Sequence, residues 1–508
     1  MSDLAGADVL VVGAGPTGLF AAVELARHGI PARVVEREPR LHRQARATIV
    51  QPGTLEILHQ AGCVERVLAA SVHPRFARVF DADLRCKAEL DFADVGCRWS
   101  FECGLPQWQT EQILAGRLAE LGGAVERGVS VVSLTEGDSS VVVELKESDG
   151  TDKSLEASWV IGAGGAHDVT RESMSERLAG STYPGAALVA DVRVSCDLPR
   201  NGSALIASPA GYVLLAPLPD QRWITFVGDL TQSEAIGLVR DCSHGSVAAA
   251  LGRRISTKIL RLDDVAWAAP FHMQRRIVPR LADRRRFLLG DAGHLSSPFG
   301  GEGMNSGLHD AHNLAWKLAL QERGRARPGL LESFASERLA ADRHVLQVSD
   351  SVHQFAHNAV ESARTGSFPD PSAPEDRVAL VRARAMLDVT YAGSPLAGEY
   401  LAPGGPPLPS PGPGARYPDR AFQTGTRHKL LFFGAPHEVE SERLRRRWEG
   451  LVDFVQARGD PRRAGLVAQG AVLVRPDGYI GFRAAPADRA GLSALDSHLD
   501  SYLVPPSG

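Results

Sequence analysis

Val9-Leu10-Val11-Val12 is an unbroken apolar run, the pattern of a strand buried on both faces of a sheet. Gly18–His28 follows with Ala, Leu and Glu at helical spacing and stops at Gly29. Ala32–Val35 reads as the next strand, so the chain opens with a β-α-β unit. Helical periodicity returns over Gln51–Leu68 and over Glu111–Leu121, the latter ending at Gly122-Gly123. Residues 129–146 hold two β-branched runs around Glu136-Gly137-Asp138, a predicted hairpin. Trp159-Val160-Ile161 is a short strand leading into a glycine turn.

From about Ala186 to Pro270 apolar and polar residues alternate between turn signals, as in Tyr212–Ala216 and Trp223–Val227. This predicts a mostly antiparallel sheet forming a second domain. Arg286-Phe287-Leu288-Leu289 returns to a buried strand, and Leu308, Ala311, Leu314, Ala315, Leu318 and Ala319 mark one face of a helix. Between Gly393 and Pro418 lie eight prolines, a density that predicts a linker without regular structure. Beyond it the chain reads as a small appended α/β unit, and no internal repeat is visible.

The length of 508 residues suggests about three domains. With 56 basic against 60 acidic residues, the chain lacks the basic footprint of a dedicated nucleic-acid binder. No apolar run approaches the ~18 residues of a membrane span, and no leader segment precedes the first strand. The six cysteines form no Cys-x-x-Cys pair, which argues against a zinc ribbon or thioredoxin-type redox motif and fits a reducing compartment. A cytoplasmic protein without nucleic-acid or membrane partners is expected.

Gly13-Ala14-Gly15-Pro16-Thr17-Gly18 follows a strand and opens a helix. In such a motif the first glycine makes a tight turn, the second lets backbone approach a pyrophosphate, and the third allows close helix–strand packing. Pro16 and Thr17 belong to the helix start on which the pyrophosphate rests. Glu36, beside Arg37, ends the second strand where an acidic residue accepts a ribose hydroxyl. This motif alone does not separate FAD from NAD.

Four separated segments within residues 8–345 resemble the flavoprotein aromatic hydroxylases of group A, the single-component monooxygenases. They are the fingerprint; Arg46-Ala47-Thr48 before Thr54–Leu58; Leu105-Pro106-Gln107 before Thr110-Glu111; and Gly290-Asp291-Ala292-Gly293-His294 with Pro298 and Gly300-Gly301-Glu302-Gly303-Met304-Asn305. The resemblance implies that Arg46, Gln107 and Asp291 contact FAD. It also places Pro298, Gly301, Gly303, Met304 and Asn305 along the isoalloxazine ring. His294, Pro298 and Gly301 then stand nearest the chemistry, with His294 either touching substrate or flavin or serving the fold. Two departures stand out: Gly164 and His167 replace the family's Asp-Gly and arginine pattern, although Arg171 is kept, and Glu302 replaces a common glutamine.

The family resemblance further implies an α/β fold. A Rossmann-like FAD-binding domain (1–180 and 271–392) would carry an inserted, mostly antiparallel substrate domain (181–270). A Pro/Gly-rich linker (393–420) would join it to a C-terminal thioredoxin-like domain (421–508) without redox cysteines. A packing or oligomer-forming role, such as a homodimer contact, is expected of that last unit. The implied reaction takes NADPH or NADH, dioxygen and a small aromatic substrate, phenolic or polyketide-like, through a flavin hydroperoxide to a hydroxylated product. Epoxidation, Baeyer–Villiger insertion, oxidative decarboxylation, and flavin binding without turnover stay open. Tyr212, Trp223, Phe226 and Phe299 are the candidate substrate contacts. His309 and His312 lack a third ligand at a recognisable spacing, so no metal is expected.

Overall fold

The computed structural model describes residues 7–42, 47–183, 185–368, 374–418 and 425–506. An eight-stranded sheet is built on the first strand, Ala7–Val12, which runs parallel to Ala32–Glu36 on one side and Asp152–Gly162 on the other. Arg286–Leu288 adds parallel to Asp152–Gly162, and the hairpin of Val129–Glu136 and Val141–Glu147 joins through Asp152–Gly162. Register sets Val12 beside Val35 and Gly162, and Gly162 beside Leu288. Three loops therefore leave the carboxyl ends of neighbouring strands together, the usual place for a ligand in an open α/β sheet.

Two helices pack on this sheet. Pro16–Arg27 lies against the helix Glu302–Glu322, and both bury Leu and Ala into a core with Val9, Val11, Val34 and Phe287. Glu302–Glu322 is buried nearly all round because further elements cover its other face. The expected helix over Gln51–Leu68 is two helices, Pro52–Gln60 and Val64–Ala70, interrupted at Gly62, whose φ of +74° favours glycine.

A second, seven-stranded sheet has five strands from 186–271: Ala186–Cys196, Gly202–Ser208, Gly211–Pro217, Trp223–Leu230 and Leu260–Phe271. Contrary to expectation it also takes in Phe76–Asp81 and Cys86–Asp91, and Gly202–Ser208 pairs with Phe76–Asp81 in parallel. Arg78, Lys87 and Glu89 break the apolar pattern of those two strands. The region also holds two helices, of which Gln232–Arg240 begins with a Thr231/Glu234 capping box. The long helix Ser333–Thr365 packs across this sheet through Ala356, Ala359 and Val360.

A five-stranded sheet forms the C-terminal unit. One edge strand, Gly398–Leu401, lies inside the stretch expected to be an irregular linker and pairs in parallel with Ile480–Ala485. The reason is local: Gly-Glu-Tyr-Leu contains no proline, so its N–H groups remain available to a ladder. Among the described residues no helix is long and apolar enough to cross a membrane.

A charged layer joins this unit to the rest. The Arg475 guanidinium donates to both oxygens of Glu337, at 2.5 and 2.8 Å. Lys317 and Asn313 donate to the same carboxylate, at 2.6 and 2.8 Å. Arg475, Glu337 and Lys317 side chains are fully buried, and burial pulls the Lys317 ammonium down to about 8 against the pull of Glu337. Apolar packing of Trp316, Leu320 and Leu330 against Leu430, Phe432 and Trp448 surrounds them. Replacing Glu337 by Leu removes the carboxylate that Arg475 and Lys317 share, leaving Arg475 with Asp477 and Lys317 with Asn313 Oδ1 in a dry interface. We expect a stability loss of about 3–5 kcal/mol, read as a lower denaturant midpoint, with Glu337→Gln losing less.

Candidate functional site

A large cavity of about 1110 Å³ opens at the carboxyl ends of the parallel strands. That exceeds the ~300–1,000 Å³ of an ordinary small-ligand pocket and leaves room for a dinucleotide with a second molecule beside it. The glycine loop, Glu36, Arg37 and Gln107 line one region; Asp291, Pro298–Gly301, Gly303 and Met304 line the next. An apolar chamber follows, walled by the second sheet and the Ser333–Thr365 helix.

At the first region each fingerprint glycine has its own constraint. Gly13 has φ +103°, and a Cβ there would lie 2.5 Å from the Ala163 carbonyl oxygen. Gly15 differs: its φ is −71° and a Cβ would meet no protein atom within 4 Å. Its lack of a side chain therefore serves the space in front of it and not the fold. Gly18 does not line the cavity; it lets the helix close onto the Gly13 carbonyl. Pro16 is the first helical residue, and the helix start has neither a side-chain cap nor an acid in its first turn, which leaves its N–H groups for an anion. The Glu36 carboxylate accepts from Ala14 N at 2.8 Å and Glu38 N at 2.9 Å. A carboxylate has about four acceptor positions, so this bracing leaves room for a hydroxyl.

Thr17 brings the two glycine-framed segments together. Gly290 and Gly307 both face its side chain, and a Cβ at Gly290 would lie 2.8 Å from Thr17 Oγ1. Asp291, the next residue, is exposed into the cavity. Gln107 accepts from Ala47 N at 3.1 Å and donates to Glu111 at 2.8 Å. Arg46 lies outside the described residues.

The stretch that lacks the expected Asp-Gly pattern is organised by Asp168. Its buried carboxylate accepts from Gly164 N at 2.6 Å and from Arg171 N at 3.0 Å. Burial pushes its pKa up, against the pull of those donors. Arg171 then donates to the carbonyls of Ala292 and Ala166, tying this loop to the one carrying Asp291.

Farther along, Gly300 and Gly301 adopt φ of +90° and +73° before the Glu302–Glu322 helix begins. Asn305, expected along the flavin, is fully buried behind the loop and does not line the cavity. Its Oδ1 accepts from Gln51 N at 3.0 Å, and its Nδ2 donates to the carbonyls of Ile49 and Gly301 at 2.8 and 2.6 Å. It positions the loop.

His294 is corrected as well. It is buried, absent from the cavity wall, and bonded through Nε2 to Asp310 at 2.8 Å, with Asp342 at 3.5 Å. Arg338 donates to both acids, at 2.7 and 2.8 Å. His294, Asp310 and Asp342 could together ligate a metal, but the Arg338 guanidinium already serves as their cation. A structural role follows, since no polar atom of His294 reaches the chamber.

Of the four aromatic candidates, Phe226 and Phe299 line the cavity. Trp223 is packed in the core on the far side of its sheet with Val213 and Leu215, because residues 223 and 226 have opposite parity along one strand. Tyr212 is buried behind Phe299, edge-on at 5.2 Å between centroids. The sequence reading missed Leu205, Leu214, Ala216, Val352, Ala356 and Ala359. Strand alternation from Phe226, and helical spacing over 352–359, are the signals that could have found them.

Burial opposes charge on His294, but Asp342 and Asp310 outweigh it and raise its pKa from 6.5 to about 9. A raised folded-state pKa contributes stability that is complete below pH 6.5 and lost as pH climbs through about 9. We expect the unfolding midpoint of the wild type to fall across that window relative to His294→Gln. Parallel curves for the two proteins would refute the assignment.

Comparison with known proteins agrees with this geometry. The chain matches the FAD binding domain family over residues 6–349 and the aromatic-ring hydroxylase C-terminal family over residues 410–506. It is 32% identical to 6-methylpretetramide 4-monooxygenase of Streptomyces rimosus, covering 98% of this chain and 94% of that one. It is 28% identical to pentachlorophenol 4-monooxygenase of Sphingobium chlorophenolicum, covering 98% and 97%. The solved structure of OxyS anhydrotetracycline hydroxylase from Streptomyces rimosus superposes with a TM-score of 0.76 at 28% identity, covering 98% and 99%. The mixed α/β architecture with several sheets is thus that of FAD-binding monooxygenases, and the chain belongs to the FAD binding domain family, in the form that carries an aromatic-ring hydroxylase C-terminal region.

Proposed function

We propose that this protein is an FAD-dependent monooxygenase that takes electrons from NADPH or NADH and uses dioxygen to hydroxylate a phenolic or polycyclic aromatic molecule. The observation that carries this reading is the meeting of two uncapped helix starts, at Pro16 and at Glu302, on one cavity that continues into an apolar chamber. Relatives named for 6-methylpretetramide and pentachlorophenol support an aromatic substrate without choosing between polycyclic and single-ring molecules.

The residues present fit FAD. Open space before Gly15 and free N–H groups at the Pro16 helix suit the pyrophosphate, Glu36 a ribose hydroxyl, and the exposed Asp291 the ribityl chain. The loop Pro298–Met304 would then lie along the ring system. When bound, the flavin accepts a hydride from the nicotinamide and activates dioxygen; the chain supplies position and electrostatics. N–H groups at the start of the Glu302 helix favour negative charge at the ring's edge. Phe226, Phe299, Leu214 and Val352 make this part of the wall apolar, which suits a site that must shield reactive species from water. In this reading the second sheet forms the substrate domain, and the C-terminal unit is a thioredoxin-like module that braces the helix.

Two measurements test the proposal. Gly15→Val puts methyl groups into the open space and strains no backbone, so the variant should keep its unfolding midpoint. It should bind FAD at least tenfold more weakly, about 1.4 kcal/mol; unchanged affinity would remove the pyrophosphate from this loop. Aerobic incubation with reduced nicotinamide, labelled dioxygen and a panel of phenols and quinones should place label in the product. Substrate consumed with oxygen drawn only from water would overturn monooxygenation, and an inserted ring oxygen or an epoxide would reassign the outcome.

A further inference from the structure

Glu302 is the first residue of the helix that starts at the cavity, and its side chain turns away from the cavity into the protein. It is 1% exposed, and both carboxyl oxygens are buried without a hydrogen-bond partner. Only the thickness of the backbone separates it from the site. Gly300 lines the cavity, and a Cβ added to that glycine would collide with Glu302 Oε1, Oε2 and the carbon between them.

The charges around it do not balance for an ionised pair of acids. Among the described residues the charged groups that face Glu302 are Arg384, from the helix Pro374–Arg384, and Glu102, from the segment before the strand Cys103–Gly104. Arg384 Nη2 donates to Glu102 at 3.0 Å, and its Nε is buried without a hydrogen-bond partner. Gln51 Nε2 also donates to Glu102, at 3.1 Å, and to the Gly300 carbonyl at 2.6 Å. Glu102 thus has two donors, one of them the cation, while neither Glu302 oxygen has a hydrogen-bond partner. Two buried acids that share one guanidinium are best satisfied when the one without donors keeps its proton. The N-terminal end of the helix favours the anion, yet burial outweighs it and Arg384 together and raises the Glu302 pKa from 4.5 to about 8.

We propose that Glu302 is held as a neutral carboxylic acid behind the Gly300–Gly301 loop, and that its ionisation switches off the ability of this loop and helix start to accept negative charge from the bound ring system. The inference rests on the FAD reading above and adds to it a residue that acts through charge alone. With Glu302 neutral, the helix start presents its N–H groups to an anionic reduced flavin with no carboxylate charge directly behind them, the cavity-lining Glu102 being paired with Arg384. Ionised, the carboxylate faces that anion across one backbone layer and disfavours reduction.

The test uses the isosteric neutral variant Glu302→Gln. In the FAD-loaded proteins, the flavin midpoint potential is followed from neutral to alkaline pH against reference dyes. We expect the two curves to coincide at neutral pH. Above about pH 8 the wild type should fall below the variant. Superimposed curves throughout would overturn the proposal. A second measurement needs no flavin. Infrared spectra of the apoprotein should show a protonated buried carboxyl band at neutral pH that bleaches as pH rises through about 8 and is missing from Glu302→Gln. If that variant fails to fold, Arg384→Met replaces it: loss of the facing cation should move the bleaching to higher pH. A wild-type apoprotein without such a band at neutral pH sinks the proposal even if FAD binds normally. A protein that shows the band but never takes up FAD overturns the cofactor reading instead.

Discussion

The carboxylate of Asp310 is the fixed point of the site. Buried completely, it accepts from Gly290 N at 2.9 Å, His294 Nε2 at 2.8 Å and Arg338 Nε at 2.7 Å. An ionised acid with three donors, two of them charged, is held well below its ordinary pKa. The consequence is geometric. Gly290 has φ +57°, a left-handed conformation that favours glycine. Its N–H is pinned to the helix, its Cα rests on Thr17, and Asp291 is thereby aimed into the cavity. Without this clamp the two glycine-framed segments would have no shared reference.

One helix transmits that reference in both directions. Glu302–Glu322 starts at the cavity, carries Asp310 in the following turns, and then presents Asn313, Trp316 and Lys317 to the C-terminal unit. The charged layer around Glu337 is therefore continuous, through a rigid element, with the Gly300–Gly301 loop at the cavity. None of the described residues of the appended unit lines the cavity. The unit covers the outer face of the helix that starts at the cavity, through buried ions as well as apolar packing.

What could be read from the sequence, and what could not, follows from the range of each interaction. Gly13, Gly15, Gly290 and Gly301 were legible because backbone conformation and close approach leave few residue choices at fixed spacing. His294 was misplaced because its partners stand 16 residues away, at Asp310, and farther still, at Asp342, and no local pattern announces a buried ion network. The strands Phe76–Asp81 and Cys86–Asp91 escaped because Arg78, Lys87 and Glu89 blur their alternation, and because joining the second sheet is decided by tertiary packing. Trp223 is different: parity with Phe226 along one strand already separated the two, and aromatic size was wrongly given more weight than direction.

The identity of the substrate belongs to the least legible class of all. Flavin binding is specified by directional groups, whose donors and charges leave marks in the sequence. The chamber is lined mostly by apolar residues, among them Leu205, Leu214, Ala216, Phe226, Val352 and Ala356, drawn from several strands and one distant helix, with Arg78, Lys87 and Glu89 of the second sheet also on the cavity wall. Apolar burial is non-directional and roughly proportional to area, so selectivity there depends on shape summed over residues that share no local motif. Small residues such as Ala216 and Ala356 set the width of the chamber by what they omit. Exchanging them alters volume without touching Asp310, Asn305 or the glycine loops, so one cofactor frame can accept a single ring or a fused polycycle. The physics that makes the flavin end recognisable is the same physics that leaves the substrate end free to vary.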